Sequence, residues 1–128
     1  MNPEELFGKP AFVYTRAQAI RDGVLLDISA AAWECANLPT HTVITQGLWH
    51  AIAGEKPFDP ADQLIRDLCY ALMFAAAGLD PGEWSEASDG GEFRFEFKAG
   101  PKPLPLRMIL GPGDCGDLVA TLMLTHES

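Results

Sequence analysis

The chain has 128 residues, 48% of them hydrophobic and 21% charged, which is typical of one folded domain and argues against disorder. Eighteen acidic and nine basic residues give a formal net charge of −9. Nucleic-acid binding requires a positive surface that releases phosphate counterions, so direct binding to DNA or RNA is disfavoured. The negative charge either serves solubility alone or engages a partner protein with a basic surface.

The sequence contains no apolar run that approaches the roughly 20 residues of a membrane-spanning helix. Its longest apolar stretch, residues 68–79, is too short, and the first five residues lack the positive start of a signal peptide. The cysteines Cys35, Cys69 and Cys115 are widely spaced and odd in number, which suits neither a disulfide scaffold nor a structural zinc site. We therefore expect a cytoplasmic protein that is not associated with membranes.

Capping residues and stop signals predict four helices in the first two-thirds of the chain. The first three are short: residues 16–22 after a Thr15 cap, 30–36 after a Ser29 cap, and 46–53 after a Thr45 cap. The fourth is a long amphipathic helix over residues 60–77, with Asp59 as its cap and Pro60 in the first helical position. Its apolar residues recur at helical spacing, which predicts that it covers the core.

Strict alternation of phenylalanine with charged residues over 93–98 predicts a strand, and residues 104–110 and 118–125 follow as two more. Short turns between them predict a three-stranded antiparallel sheet at the C-terminal end. Residues 24–28 and 41–44 are short extended candidates. The expected fold is a single α+β domain, residues 1–128, in which short N-terminal helices and the long helix pack on this sheet.

Signatures of enzymatic chemistry are missing from the sequence. Gly111-Pro112-Gly113 places proline where a phosphate-binding loop needs backbone donors, so a hairpin turn is favoured. No His-x-x-x-His or Gly-x-Ser-x-Gly pattern occurs. We expect no metal, no cofactor and no catalytic residue, and a non-enzymatic protein is favoured although enzyme activity stays open.

One segment, residues 80–92, carries five acidic residues and no basic one, together with a tryptophan, a residue enriched in interface hot spots. It is either a solvated loop between helix and sheet or a negatively charged recognition loop with an aromatic anchor. The second interpretation assigns partner binding to Asp80, Glu83, Trp84, Glu86, Asp89 and Glu92.

Both ends of the chain carry recognisable motifs: Tyr14-Thr15-Arg16-Ala17-Gln18-Ala19 followed by Asp22-Gly23-Val24-Leu25-Leu26-Asp27, and the turn Gly111-Pro112-Gly113-Asp114. In these motifs the chain resembles a family of small uncharacterised bacterial proteins encoded on plasmids, prophages and other mobile elements. The resemblance implies a mobile-element accessory protein. By analogy with other such proteins, it implies an anti-defence inhibitor that contacts the basic channel of a CRISPR or restriction complex.

Two other functions remain open on the sequence. The first is a small enzyme or ligand-binding module with a cleft between the N-terminal motif and the Gly-Pro-Gly-Asp turn, formed by Tyr14, Arg16, Asp22 and Asp114. Arg16 and Asp22 have a simpler interpretation as a surface salt bridge or cap. The second is an antitoxin-like regulatory subunit, which would show an exposed apolar patch and a stable oligomer.

Overall fold

A computed structural model of the chain describes residues 15–87, 90–98 and 100–127. Within these ranges the helices are α1 (Arg16–Arg21), α2 (Ser29–Ala36), α3 (Gln46–Ala53) and α4 (Gln63–Ala76). The strands are β1 (Leu25–Asp27), β2 (His41–Thr45), β3 (Gly82–Ala87), β4 (Gly90–Phe97), β5 (Leu104–Pro112) and β6 (Leu118–Leu124).

The strands form one mixed sheet in the order β1-β2-β6-β5-β4-β3. The antiparallel arrangement of β4, β5 and β6 is present, but the predicted three-stranded antiparallel sheet is wrong because three further strands join it. β2 pairs with β6 in parallel, β1 pairs antiparallel with β2, and β3 pairs antiparallel with β4. The overall class is still α+β. The parallel partners are far apart in the sequence, so no turn between them signals their pairing.

The acidic segment that the sequence places in a loop is largely the strand β3. Each residue from Gly82 to Ala87 pairs with one residue of β4, from Phe95 to Gly90. Gly82 makes this approach possible, because a side chain there would overlap the ring of Phe93. Backbone pairing of this kind depends on a neighbouring strand rather than on local composition, which explains why the acidic sequence concealed it.

The helix caps are partly as predicted. The side chains of Thr15 and Thr45 accept hydrogen bonds from backbone N–H groups at the starts of α1 and α3, which confirms both caps. The prediction for α4 is wrong at its start. Asp62, not Asp59, accepts from the Leu64 N–H at 2.9 Å, and Asp59 belongs to a preceding turn. The helix therefore has 14 residues and begins at Gln63.

Ser29 does not cap α2 as predicted. Its hydroxyl oxygen accepts from the N–H of Thr42 at 3.0 Å and donates to the carbonyl of the same residue at 3.3 Å. The preceding residue, Ile28, occupies the cap position without a side-chain hydrogen bond. Ser29 thus links the start of α2 to β2. It does so because β2, which the sequence marks only as a short extended candidate, lies within hydrogen-bond distance of its side chain.

The main core lies between one face of the sheet and the helices α2, α3 and α4. The three phenylalanines of β4 point into it together with alternate residues of β5 and β6. The indole of Trp49 is buried there, and its N–H donates to the carbonyl of Lys56 at 2.8 Å, which satisfies its one polar group. On the opposite face of the sheet, Val43, Val119 and Met123 are buried, and Arg16 of α1 reaches across to Thr121.

Truncation of a core residue on the central strand should destabilise the whole domain. Leu122 on β6 is fully buried and pairs with Ile44 on one side and Met108 on the other. We expect Leu122→Ala to lower the free energy of unfolding by about 2–5 kcal/mol, because it leaves a cavity between both halves of the chain. Urea denaturation followed by circular dichroism measures this.

The matched control for that variant is Leu118→Ala on the same strand, where the side chain is exposed. It should change the free energy of unfolding by less than about 0.5 kcal/mol. Equal losses from the two variants would contradict the placement of Leu122 in the core.

Candidate partner-binding surface

The strand β3 forms one end of the sheet, and no described strand pairs with its outer side. Residues 82–86 are all exposed. The opposite end of the sheet differs, because β1 has only three residues and α1 packs against it. Among the described residues, the long open edge of this sheet is therefore β3.

Trp84 lies on this edge, and its ring packs against the ring of Phe93 on the neighbouring strand. Its side chain is 53% exposed, and the ring centroid lies 4.8 Å from that of Phe93, with the planes tilted by 35°. Phe93 is buried and stacks in turn on Phe95 at 5.8 Å. A tryptophan supported in this way loses little conformational freedom when a partner covers its outer face, and this favours tight binding.

Acidic residues lie near this tryptophan in the sequence and on its strand. Glu83 and Glu86 lie on β3 itself, on opposite faces of the sheet, and Asp80 lies two residues before the strand. The ion pairs among the described residues include none of these three carboxylates. We call Asp80, Glu83, Trp84 and Glu86 the acidic edge.

Two of the residues assigned to partner binding do not belong to the acidic edge. Glu92 lies on β4 and not on the edge strand. Its carboxylate accepts from Arg107 at 2.9 Å and from Arg94 at 3.1 Å, and these two hydrogen bonds hold the pKa of its carboxyl below the usual value. Asp89 lies outside the described residues.

A groove of about 630 Å³ runs between α4 and the segment that leads into β3. The rings of Tyr70 and Phe74 form part of its wall and are 37% and 40% exposed. Its charged lining residues are Asp67, Asp80, Glu96 and Lys98, three carboxylates and one amine. Asp80 thus contributes both to this groove and to the acidic edge.

No motif in the sequence indicates this groove. Asp67, Tyr70 and Phe74 recur at spacings of three and four residues, so they share one flank of α4. This flank lies beside the buried stripe of α4. A second stripe with two aromatic residues on an amphipathic helix is the sequence pattern that could have indicated an additional contact surface. That it borders a cavity depends on how α4 packs against the segment before β3 and the end of β4, which no sequence pattern reveals.

The N-terminal motif and the Gly-Pro-Gly-Asp turn meet in the structure. The carboxylate of Asp114 accepts from the backbone N–H groups of Arg16 at 2.9 Å and Ala17 at 3.1 Å, and the Arg16 guanidinium donates to Thr121 at 2.6 Å. A pocket of about 190 Å³ lies beside them. Asp22 caps the far end of α1 and does not line this pocket, and Tyr14 lies outside the described residues.

We interpret this junction as structural. Ligand pockets usually enclose about 300–1,000 Å³, and this one is smaller. Most polar groups of Arg16 and Asp114 hold α1 to the turn and to β6, although Nε of Arg16 is buried without a hydrogen-bond partner among the described residues. The geometry therefore brings two of the four cleft residues together, and their remaining hydrogen bonds serve the fold.

Two histidines and one cysteine have structural partners or are buried, whereas Cys115 and His126 are exposed. The Nε2 atom of His41 lies 3.0 Å from an Asp27 oxygen, and Nδ1 of His50 lies 2.9 Å from the carbonyl of Gly54. Burial raises the pKa of the Cys69 thiol to about 12, so it is not a nucleophile near neutral pH. Among the residues that the structure describes, no group of three or more His, Cys, Asp or Glu could hold a metal ion.

A search of the described helices finds none with both the length and the apolarity that crossing a membrane requires.

Comparison of the chain with protein-family models, with curated proteins and with solved structures gives no match. The assignment of a functional surface therefore depends on the exposure, charge and geometry of this chain's own residues.

The junction at Asp114 predicts a pH-dependent contribution to stability. Hydrogen bonds from the backbone of Arg16 and Ala17 hold the pKa of its carboxyl below the usual value in the folded protein. The stabilisation is therefore complete above the ordinary aspartate pKa of about 4 and is lost as the pH falls through the lower folded value. We expect Asp114→Asn to be less stable than the wild type near neutral pH, and this difference to shrink on acidification, as measured by melting temperature from about pH 7 to about pH 2.5.

Glu55→Gln, in the exposed loop after α3, serves as the control and should follow the wild-type curve. A destabilisation by Asp114→Asn that stays constant across the pH range would contradict a role for the ionised carboxylate.

Proposed function

We propose that this chain is a non-enzymatic binding protein that engages a basic surface of a partner protein through the acidic edge. One observation carries the proposal: Trp84, exposed on its outer face and fixed on its inner face, stands between Glu83 and Glu86 on an open edge strand. Tryptophan is enriched in interaction hot spots, and charges around such a residue steer the encounter with a partner of opposite charge.

The energetic roles of the two kinds of side chain differ. Trp84 supplies buried apolar area once a partner covers it, and this mainly slows dissociation. The carboxylates and the net charge of −9 accelerate association with a positively charged surface and disfavour acidic proteins. Because these charges are exposed, their contribution should fall steeply with ionic strength.

The partner that this chemistry fits is a cytoplasmic protein whose basic surface serves nucleic acid. An acidic protein can occupy such a surface in place of the phosphate backbone, since both present closely spaced negative charges. The resemblance of the terminal motifs to mobile-element proteins supports a CRISPR or restriction complex as that partner. The proposed activity is then inhibition by occupation, which needs no catalytic residue in this chain.

Binding of a fluorescent deca-arginine peptide tests the charge chemistry of the acidic edge. We expect affinity at about 20 mM NaCl to fall by at least about tenfold at about 200 mM NaCl, because salt screens exposed charges. At low salt, the double variant Glu83→Gln, Glu86→Gln should bind about tenfold more weakly than the wild type. Fluorescence anisotropy measures both effects.

The matched control for this experiment is Glu55→Gln, Asp117→Asn, which removes the same charge from exposed residues away from β3. It should keep nearly the wild-type affinity. Equal losses from both double variants would mean that the peptide responds only to net charge, and the acidic edge would then have no special role.

A further inference from the structure

We propose that the partner binds by strand addition, with an extended basic segment that pairs with the outer side of β3 and continues the sheet. This inference rests on the proposed function, because it uses the same acidic edge and the same class of partner. It adds the mode of recognition and the pattern of side chains that the partner segment must carry.

The geometry of β3 suits an added strand. All six residues of β3 pair with β4 on the inner side. A strand paired on one side presents backbone N–H and C=O groups on the other, and these groups are available to another chain. Six residues is a typical strand length, so the open edge offers a full set of partners.

Proline and bulges, two of the features that protect an edge strand from pairing, are missing in β3. The strand contains no proline, and its one-to-one register with β4 leaves no bulge. Its charged residues, Glu83 and Glu86, are both negative. Negative charge repels another acidic strand but attracts a basic one, so these residues select the segment that can pair.

The register of an added strand fixes where its side chains lie. Residues opposite each other on neighbouring strands share a face and contact each other. Glu83 faces one side of the sheet, and Trp84 and Glu86 face the other. In an antiparallel partner, a basic residue opposite Glu86 and another opposite Glu83 are three positions apart, and an apolar residue directly before the second one covers Trp84. The partner pattern is therefore basic-x-apolar-basic.

A second copy of this chain is a poor occupant of the same edge. Two β3 strands would bring four glutamates to one interface with no lysine or arginine from either strand. Each copy also carries a net charge of −9, so long-range repulsion opposes the encounter. Charge complementarity favours a basic segment of another protein.

The test uses the capped octapeptide Thr-Val-Arg-Thr-Val-Arg-Val-Thr, which carries this pattern, and the same peptide N-methylated at its four central residues. Both peptides have the same side chains and charge, but the methylated one cannot donate backbone hydrogen bonds along its centre. We expect the parent peptide to bind at least about tenfold more tightly, as measured by calorimetry at low salt. It should also slow hydrogen exchange of the outward-facing β3 amides at least about tenfold, as measured by NMR.

Control variants locate the site within the folded protein. Glu83→Gln with Glu86→Gln should weaken binding of the parent peptide, whereas Glu55→Gln with Asp117→Asn should not. Unchanged circular dichroism spectra establish that both double variants are folded.

Three outcomes would overturn strand addition. The peptides could bind equally without protection of the β3 amides, the parent could fail to bind, or the free protein could dimerise with its β3 amides protected. The first outcome leaves the proposed function intact if deca-arginine still distinguishes the two double variants. Loss of that distinction, by contrast, removes the proposed function itself.

Discussion

The parallel pairing of β2 with β6 joins the two halves of the chain, and the rest of the fold depends on it. Val43 and Ile44 pair with Thr121 and Leu122 at the centre of this contact. Val43 and Ile44 are fully buried although they face opposite sides of the sheet. A parallel pair of this kind must be covered on both faces, which requires helices on either side. Closing so long a segment costs entropy, and burial of these side chains offsets that cost.

Several polar contacts strengthen the same junction. Glu127 accepts from the hydroxyl of Thr45 and from the N–H of Leu124, both at 2.8 Å, so its carboxylate links the end of β2 to the end of β6. Arg16 and Asp114 fasten α1 to the turn before β6 and to Thr121 of β6 itself. In these contacts the charged groups stabilise the fold, so they are not available to bind a partner.

The position of β6 also decides which edge of the sheet stays open. β2 and β1 extend the sheet on one side, where α1 packs against β1. On the other side β3 is the last described strand, so its glutamates and Trp84 lie at an edge that no other described strand covers. The acidic residues thus form two groups, those that make contacts within the fold and those that are exposed. Glu92 and Asp114 are bound by arginines or backbone N–H groups, whereas Glu83 and Glu86 face solvent. This division makes the acidic edge the better candidate for a partner.

The sequence by itself determined those features that local chemistry controls. Threonine caps placed α1 and α3, helical spacing placed the core stripe of α4, and alternation of phenylalanine with charge placed β4. It also singled out Trp84 and its neighbouring acids, because composition alone marks them. Only the tertiary structure decided that residues 82–87 form a strand, that β2 joins β6, and that an aromatic groove borders α4. The pairing of β2 with β6 joins strands far apart in the chain, and such pairing leaves no periodic signal in either one. β3 pairs with the next strand, β4, but its acidic composition has low strand propensity, so only the pairing itself shows that it is a strand.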